Sequence, residues 1–99
     1  MKQNKELSKS PGQVTKEYLL DGLKMTVGEL ARAIDVPTNR LYLIIQNKRD
    51  ITVDTAIRLG RFLNMDPLFW LNIQNEYDIK RHLEKNPEKF NAIKALLKK

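Results

Sequence analysis

The sequence has no cysteine, a single histidine and only two serines. The lack of cysteine excludes a disulfide scaffold, Cys-ligated zinc, iron–sulfur clusters and thiol catalysis. His82 is not part of a cluster of histidines and carboxylates at metal-ligand spacing, and Ser8 and Ser10 lie in a polar N-terminal tail without a plausible nucleophile–base pair. We therefore expect no catalytic residue, no metal site and no cofactor, and we expect the protein not to be an enzyme.

Glycine clusters and long apolar runs are also missing. The four glycines are isolated, so the sequence contains no glycine-rich phosphate loop. The longest strictly apolar run is Leu41–Ile45, which is much shorter than a membrane span or the core of a signal peptide. The sequence thus predicts a cytoplasmic protein with no membrane partner.

The chain has the length of one domain and a basic character. Its 99 residues are 41% hydrophobic and carry a formal net charge of +6. Much of this basic excess lies at the two ends, where lysine-rich segments are often solvated tails. Residues 38–49, in contrast, contain Arg40, Lys48 and Arg49 and no acidic residue. This local patch is the better indication of a nucleic-acid partner.

Apolar residues recur at helical spacing and do not alternate as they would in strands. The pattern predicts an all-α fold of five or six helices, over residues 11–21, 26–35, 38–46, 53–63, 67–85 and 87–97. Thr26 and Glu29 have the spacing of a capping box at the start of the second helix. The last helix is expected to begin at Asn86–Pro87 and to carry an apolar face of Phe90, Ile93, Leu96 and Leu97.

Residues 26–45 have the pattern of a helix–turn–helix motif, in which two short helices meet at a tight turn. Asp35 occupies the turn, where a left-handed residue is often needed. The exposed front of the second helix offers Thr38, Asn39, Arg40 and Tyr42 as candidates for contacts with base edges in the major groove. The residues that follow are candidates for phosphate contacts: Gln46, Asn47, Lys48 and Arg49. The alternative is an ordinary helical hairpin inside a bundle.

Four segments together resemble one family: P-G-x-x-x-x-E-Y-L (11–19), M-T-x-G-E-L-A-R-A-I-x-V-P-x-N-R-L (25–41), K-R-x-I-T-x-D-T-A-I-R-L-x-R-F (48–62) and P-x-F-W-L-N-I-Q-N-x-Y-D (67–78). They are similar to the HigA antitoxins of the XRE/Cro/C1 helix–turn–helix group. The resemblance implies a lambda-repressor-like DNA-binding homodimer that represses its own operon at a palindromic operator. It also implies a HigB-like toxin partner, a RelE-like ribosome-dependent mRNA interferase.

Two positions depart from the family pattern. Val27 stands where the group commonly has a phosphate-contacting glutamine, and Asp35 stands where it commonly has glycine. Two alternatives stay open: a freestanding regulator of the same family without a toxin, and a protein-interaction module that no longer reads DNA, for which Val27 is the argument. By this organisation, residues 1–10 form a flexible arm, 11–79 the DNA-binding domain and 80–99 a basic helical extension.

The fifth predicted helix opens with three large apolar residues, which cannot all face the same side. We expect Trp70 to be in the core, and we name Phe69, Trp70 and Ile73 as candidates for a dimer interface. In the fourth helix, Arg58 is expected to pair with Asp54, four residues earlier.

Overall fold

The computed structural model describes residues 9–97, which form six α-helices and no strand. The all-α prediction is confirmed, and residues 1–8 of the predicted arm lie outside the described range. The elements are α1 (Pro11–Thr15), a π-helical segment that continues it (Lys16–Asp21), α2 (Val27–Ile34), α3 (Thr38–Ile45), α4 (Val53–Leu63), α5 (Leu68–Lys85) and α6 (Pro87–Asn91). Within residues 9–97, no helix combines the length and apolar character that crossing a membrane requires.

Side-chain caps fix the starts of three helices. The hydroxyl of Ser10 accepts from the N–H of Gln13 at 3.1 Å, and that of Thr52 accepts from Thr55 at 3.3 Å. At α2 the capping box is complete: Thr26 accepts from the Glu29 N–H at 3.1 Å, and the Glu29 carboxylate accepts from the Thr26 N–H at 2.9 Å. Each cap satisfies an N–H that lacks an intrahelical partner. The three helices begin directly after these capping residues, so their predicted starts are confirmed.

The core is assembled from α2, α3, α4 and the first half of α5, together with Val14 of α1 and Leu19 of the π-helical segment. Its largest fully buried apolar side chains are Leu19, Leu30, Leu41, Ile44, Leu59 and Trp70. These residues are spaced so that each helix turns one apolar stripe inward. The core therefore fixes α2 and α3 relative to each other and leaves the opposite face of α3 in solvent.

The C-terminal segment differs from its prediction. The last helix ends at Asn91 instead of continuing to residue 97, and Asn86 makes no side-chain capping bond. Ile93, Leu96 and Leu97 are 74%, 92% and 81% exposed, so they are largely in solvent and lie outside the core. An apolar stripe stabilises a helix only when it is buried, and short helices are marginal on their own in water. The preceding helix, α5, runs without a break across the predicted boundary at residues 79 and 80.

Candidate nucleic-acid interface

The turn between α2 and α3 sets the crossing of the two helices. Asp35 adopts the left-handed conformation, with φ 59° and ψ 52°. The Val36 N–H donates to the carbonyl of Ala31 at 3.0 Å, and the Asp35 N–H donates to that of Arg32 at 3.3 Å. This pattern is a Schellman motif, which ends α2 and buries Val36 against the core. The predicted role of Asp35 is confirmed.

Arg58 on α4 holds this turn from the other side. Its Nη1 donates to the carbonyl oxygens of Ile34 and Asp35 at 3.1 and 3.2 Å, and its Nε donates to Asp54 Oδ2 at 2.8 Å. The hydrogen bond to Asp54 raises the pKa of Arg58 above its ordinary value, with a smaller contribution from Asp35. The predicted pair with Asp54 is confirmed. The bonds to the end of α2 carry no sequence signal of their own, because their acceptors are backbone carbonyls.

The first turn of α3 is open to solvent. Pro37 precedes the helix and offers no side-chain cap, and the first turn contains no acidic residue. Thr38 and Asn39 are exposed, and Tyr42 is 48% exposed. A helix N-terminus without a cap or a carboxylate favours an anion, because its N–H groups and its dipole point outward. Three of the four predicted base-contacting residues therefore lie on an accessible surface.

Arg40, the fourth predicted base-contacting residue, is half-buried. Its Nε lies inside the protein and has no hydrogen-bond partner among residues 9–97. An unpaired buried N–H costs about 1–3 kcal/mol. The side chain thus sits at the edge of the exposed surface with part of its hydrogen-bonding capacity unused.

The turn after α3 is exposed and basic. Lys48 and Arg49 form no ion pair within the described residues, whereas Lys9, Lys16, Arg58 and Arg81 each have a carboxylate partner. From Val36 to Arg49 the chain contains no acidic residue. The unpaired charges therefore follow the C-terminal end of α3, and no acidic residue lies between them and its first turn along the chain.

Comparison with known proteins identifies this arrangement. A family model described as helix-turn-helix matches residues 16–70. The chain belongs to this helix-turn-helix family. It is 36% identical over 83 residues to virulence-associated protein I of Dichelobacter nodosus, covering 84% of this chain and 76% of that protein. The family comprises DNA-binding proteins and not enzymes, in agreement with the expectation from composition.

Two solved structures of HigA antitoxins have the same fold. An addiction module antidote protein of the HigA family from Coxiella burnetii is 39% identical, with a TM-score of 0.83 over 91% of this chain and 98% of that one. The Pseudomonas aeruginosa antitoxin HigA, solved with the higBA promoter, is 31% identical, with a TM-score of 0.83 over 91% and 99%. The resemblance inferred from the four sequence segments is thereby confirmed.

Asn47 has contacts in this helix-turn-helix protein that the sequence pattern did not predict. Its Oδ1 accepts from the Gly12 N–H at 2.9 Å, and its Nδ2 donates to Ser10 Oγ at 2.9 Å. The carboxamide proposed for phosphate contact is therefore bonded to the start of α1. The residues involved are 35 and 37 positions apart, so local spacing gives no sign of the contact.

Gln74 on α5 is a second residue that sequence reasoning missed. It is buried, its Oε1 accepts from the Ile51 N–H at 2.9 Å, and its Nε2 donates to Asp50 at 3.3 Å and to Asp78 at 3.1 Å. A buried amide with several partners is a strong positional restraint. Gln74 thus fixes the far end of the turn that contains Lys48 and Arg49.

The predicted dimer residues divide into two groups. Trp70 is completely buried within the protomer, as expected for the core, so it offers no surface to a partner and is corrected here as an interface residue. Phe69 and Ile73 are half-buried against the core. Phe69 stacks on Tyr18 at 5.8 Å and meets Trp70 edge-on at 5.0 Å, measured between ring centroids. The dimer prediction therefore concerns Phe69 and Ile73 only.

Proposed function

We propose that this protein is the antitoxin of a HigBA-type module. It binds the operator of its own operon as a homodimer in the cytoplasm and neutralises a HigB-like toxin, which is a RelE-like mRNA interferase. The observation that carries the proposal is the open, acid-free first turn of α3, in a fold shared with an antitoxin solved with its promoter.

Base recognition is assigned to the exposed front of α3. Asn39 can pair bidentately with adenine and Arg40 with guanine, each with about 1–3 kcal/mol of discrimination. Thr38 and Tyr42 flank these two, with Tyr42 suited to a thymine methyl group. The unpaired Nε of Arg40 supports this assignment, since extension of the guanidinium toward a guanine would remove the N–H from its buried position.

Affinity is assigned to the basic turn after α3. Gln46, Lys48 and Arg49 are exposed at the C-terminal end of α3, where they can set the register on the sugar–phosphate backbone. Val27, where the family commonly has glutamine, is half-buried against the core and makes no polar contact with DNA. Lys48 and Arg49 therefore carry a larger share of the phosphate contacts.

A dimer follows from the geometry of major-groove reading. Two copies of α3 reach successive major grooves of a palindrome when they lie about 34 Å apart. Phe69 and Ile73 are the residues assigned to the contact across the two-fold axis. Sedimentation at micromolar concentration measures the oligomeric state directly, with and without operator DNA. A protein that is monomeric under both conditions would contradict the proposed dimer.

The DNA part of the proposal is tested by fluorescence anisotropy with the region upstream of the operon and with random DNA, over a series of salt concentrations. We expect tighter binding to the upstream region and a steep loss of affinity with salt, from counterion release. Lys48→Ala should weaken both DNAs, whereas the matched control Lys80→Ala, an exposed lysine of α5, should change neither. Equal, salt-insensitive binding to both DNAs would indicate a protein-interaction module.

The toxin part is tested with the small basic protein of a neighbouring reading frame. Segments 1–20 and 80–99 lie outside the DNA-facing motif and are the candidate surfaces for it. Co-expression should relieve growth arrest by the neighbour, and the two proteins should purify together. Operator binding without any such partner would indicate a freestanding regulator.

A further inference from the structure

The start of α1 abuts the end of α3. A Cβ placed on Gly12 would lie 2.2 Å from the carbonyl oxygen of Ile45 and 2.6 Å from that of Ile44. Only glycine allows this approach, because every other residue would drive a carbon atom into the backbone. The N-terminal end of one helix thus meets the C-terminal carbonyls of the other, an arrangement in which the helix dipoles attract.

Asn47 ties these two helix ends together by hydrogen bonds. It adopts φ 60°, and its own N–H donates to the Ile44 carbonyl at 3.0 Å while the next N–H, of Lys48, donates to the Leu43 carbonyl at 2.8 Å. From this position the carboxamide reaches the Gly12 N–H and the Ser10 hydroxyl. Because Ser10 is also the N-cap of α1, one side chain connects the capped start of α1 to the turn after α3.

The turn is therefore held at both ends by buried or interhelical contacts. Asn47 anchors its beginning to α1, and Gln74 anchors its end by accepting from the Ile51 N–H. Between these anchors stand Lys48 and Arg49, whose side chains are exposed and unpaired within residues 9–97. Fixing the backbone that carries long basic side chains lowers the entropy that is lost when those side chains bind phosphate.

We infer that Asn47 is a positioning residue for DNA binding: it holds Lys48 and Arg49 against the backbone of the operator and does not contact phosphate itself. The inference rests on the proposed DNA-binding function. The sequence cannot distinguish positioning of the turn from direct phosphate contact, because a neutral amide next to two cations is compatible with both roles.

Salt dependence distinguishes the two roles. Each cation that neutralises a phosphate contributes about 0.9 to the slope of log affinity against log salt, whereas a neutral amide contributes nothing. In Asn47→Gly the glycine retains the left-handed backbone, while the link to α1 is lost. We expect operator affinity to fall and the slope to decrease by about 1 to 2 per protomer as Lys48 and Arg49 become disordered.

Matched variants complete the test. Lys48→Ala combined with Arg49→Ala should give the same reduced slope, and adding Asn47→Gly to that pair should change it no further. Ser10→Ala removes the partner of Asn47 Nδ2 together with the cap of α1, and it should reproduce part of the effect from outside the DNA-facing turn. Thermal unfolding shows whether each variant is folded. Hydrogen exchange of the Gly12 amide shows whether its bond to Asn47 is broken.

A lower affinity with an unchanged slope would overturn the inference in favour of direct phosphate contact by Asn47. An unchanged affinity in a folded variant with an exchanging Gly12 amide would also overturn it. If the unaltered protein does not prefer its upstream DNA, the proposed function fails instead, so the two failures are distinguishable.

Discussion

Replacing Gly12 by alanine adds one methyl group at the point where α1 meets the end of α3. The new Cβ would lie 2.2 Å from the Ile45 carbonyl oxygen, 2.6 Å from that of Ile44 and 2.7 Å from the Ile45 carbonyl carbon. All three atoms belong to the backbone of α3, so no side-chain rotation can relieve the overlap. The start of α1 must move away from α3.

The cost of this movement can be estimated from the contacts it breaks. Forced overpacking costs about 1–3 kcal/mol, and loss of the hydrogen bond from the Gly12 N–H to Asn47 adds about 0.5–1.5 kcal/mol. The free energy of unfolding should therefore fall by about 1.5–4.5 kcal/mol. In a domain of this size, that corresponds to a decrease in Tm of roughly 6–36 °C.

Differential scanning calorimetry measures the effect, and Gly28→Ala is the matched control. At Gly28 the nearest atom to a new Cβ is Arg32 Nη1 at 3.7 Å, which is an ordinary contact. Since alanine is the better helix former, this second variant should gain about 0.5–1 kcal/mol. If Gly12→Ala melted at the temperature of the unaltered protein, the close approach of α1 and α3 described here would be wrong.

Three further predictions concern the turn, the ion pairs and base recognition. Asp35→Gly should raise the free energy of unfolding by up to about 1 kcal/mol, since glycine tolerates φ 59° better than aspartate does. Urea denaturation measures this free energy, and a lower value in the variant would show that the aspartate side chain stabilises the turn by more than its backbone conformation costs. Hydrogen bonds from Lys9 and, to a smaller extent, Gln13 lower the pKa of Glu17 in the folded protein. The ionised Glu17 therefore stabilises the fold above the pKa that it has in the unfolded chain, and this stabilisation is lost as the pH falls through its pKa in the folded protein. Glu17→Gln should flatten that acid limb of a plot of Tm against pH, and an unaltered limb would contradict the assignment. Arg40→Ala should reduce the discrimination at one base pair by roughly 10- to 100-fold, whereas Lys48→Ala should lower the affinity for all DNA sequences alike. Competition binding with operators that carry single-base changes measures this discrimination. If both variants gave the same pattern of affinities, the separation of roles would be refuted.

Local signals in the sequence predicted the helix–turn–helix correctly. Thr26 and Glu29 predicted the capping box, and Asp35 predicted the left-handed turn that ends α2. Each of these effects acts over four residues or fewer, so its physical cause is complete within the local sequence. In the structure, the capping box and the turn lie at the residues that the sequence indicated.

Long-range contacts account for what the sequence did not reveal. The bond from Gly12 to Asn47 and the bonds of Arg58 to the carbonyls of Ile34 and Asp35 depend on packing. The apolar spacing of Ile93 and Leu96 predicted a longer final helix, but both side chains are exposed, so burial does not stabilise that helix. Periodicity shows that a face could be buried, whereas burial itself depends on a partner surface.

The central claim for this protein is that the first turn of α3 reads base edges. Selection of bound fragments from a random DNA pool, followed by sequencing, tests this claim directly. The unaltered protein should enrich one palindromic motif, and a variant with Thr38, Asn39 and Arg40 all replaced by alanine should enrich none while remaining folded. Enrichment of the same motif by both proteins would contradict the claim.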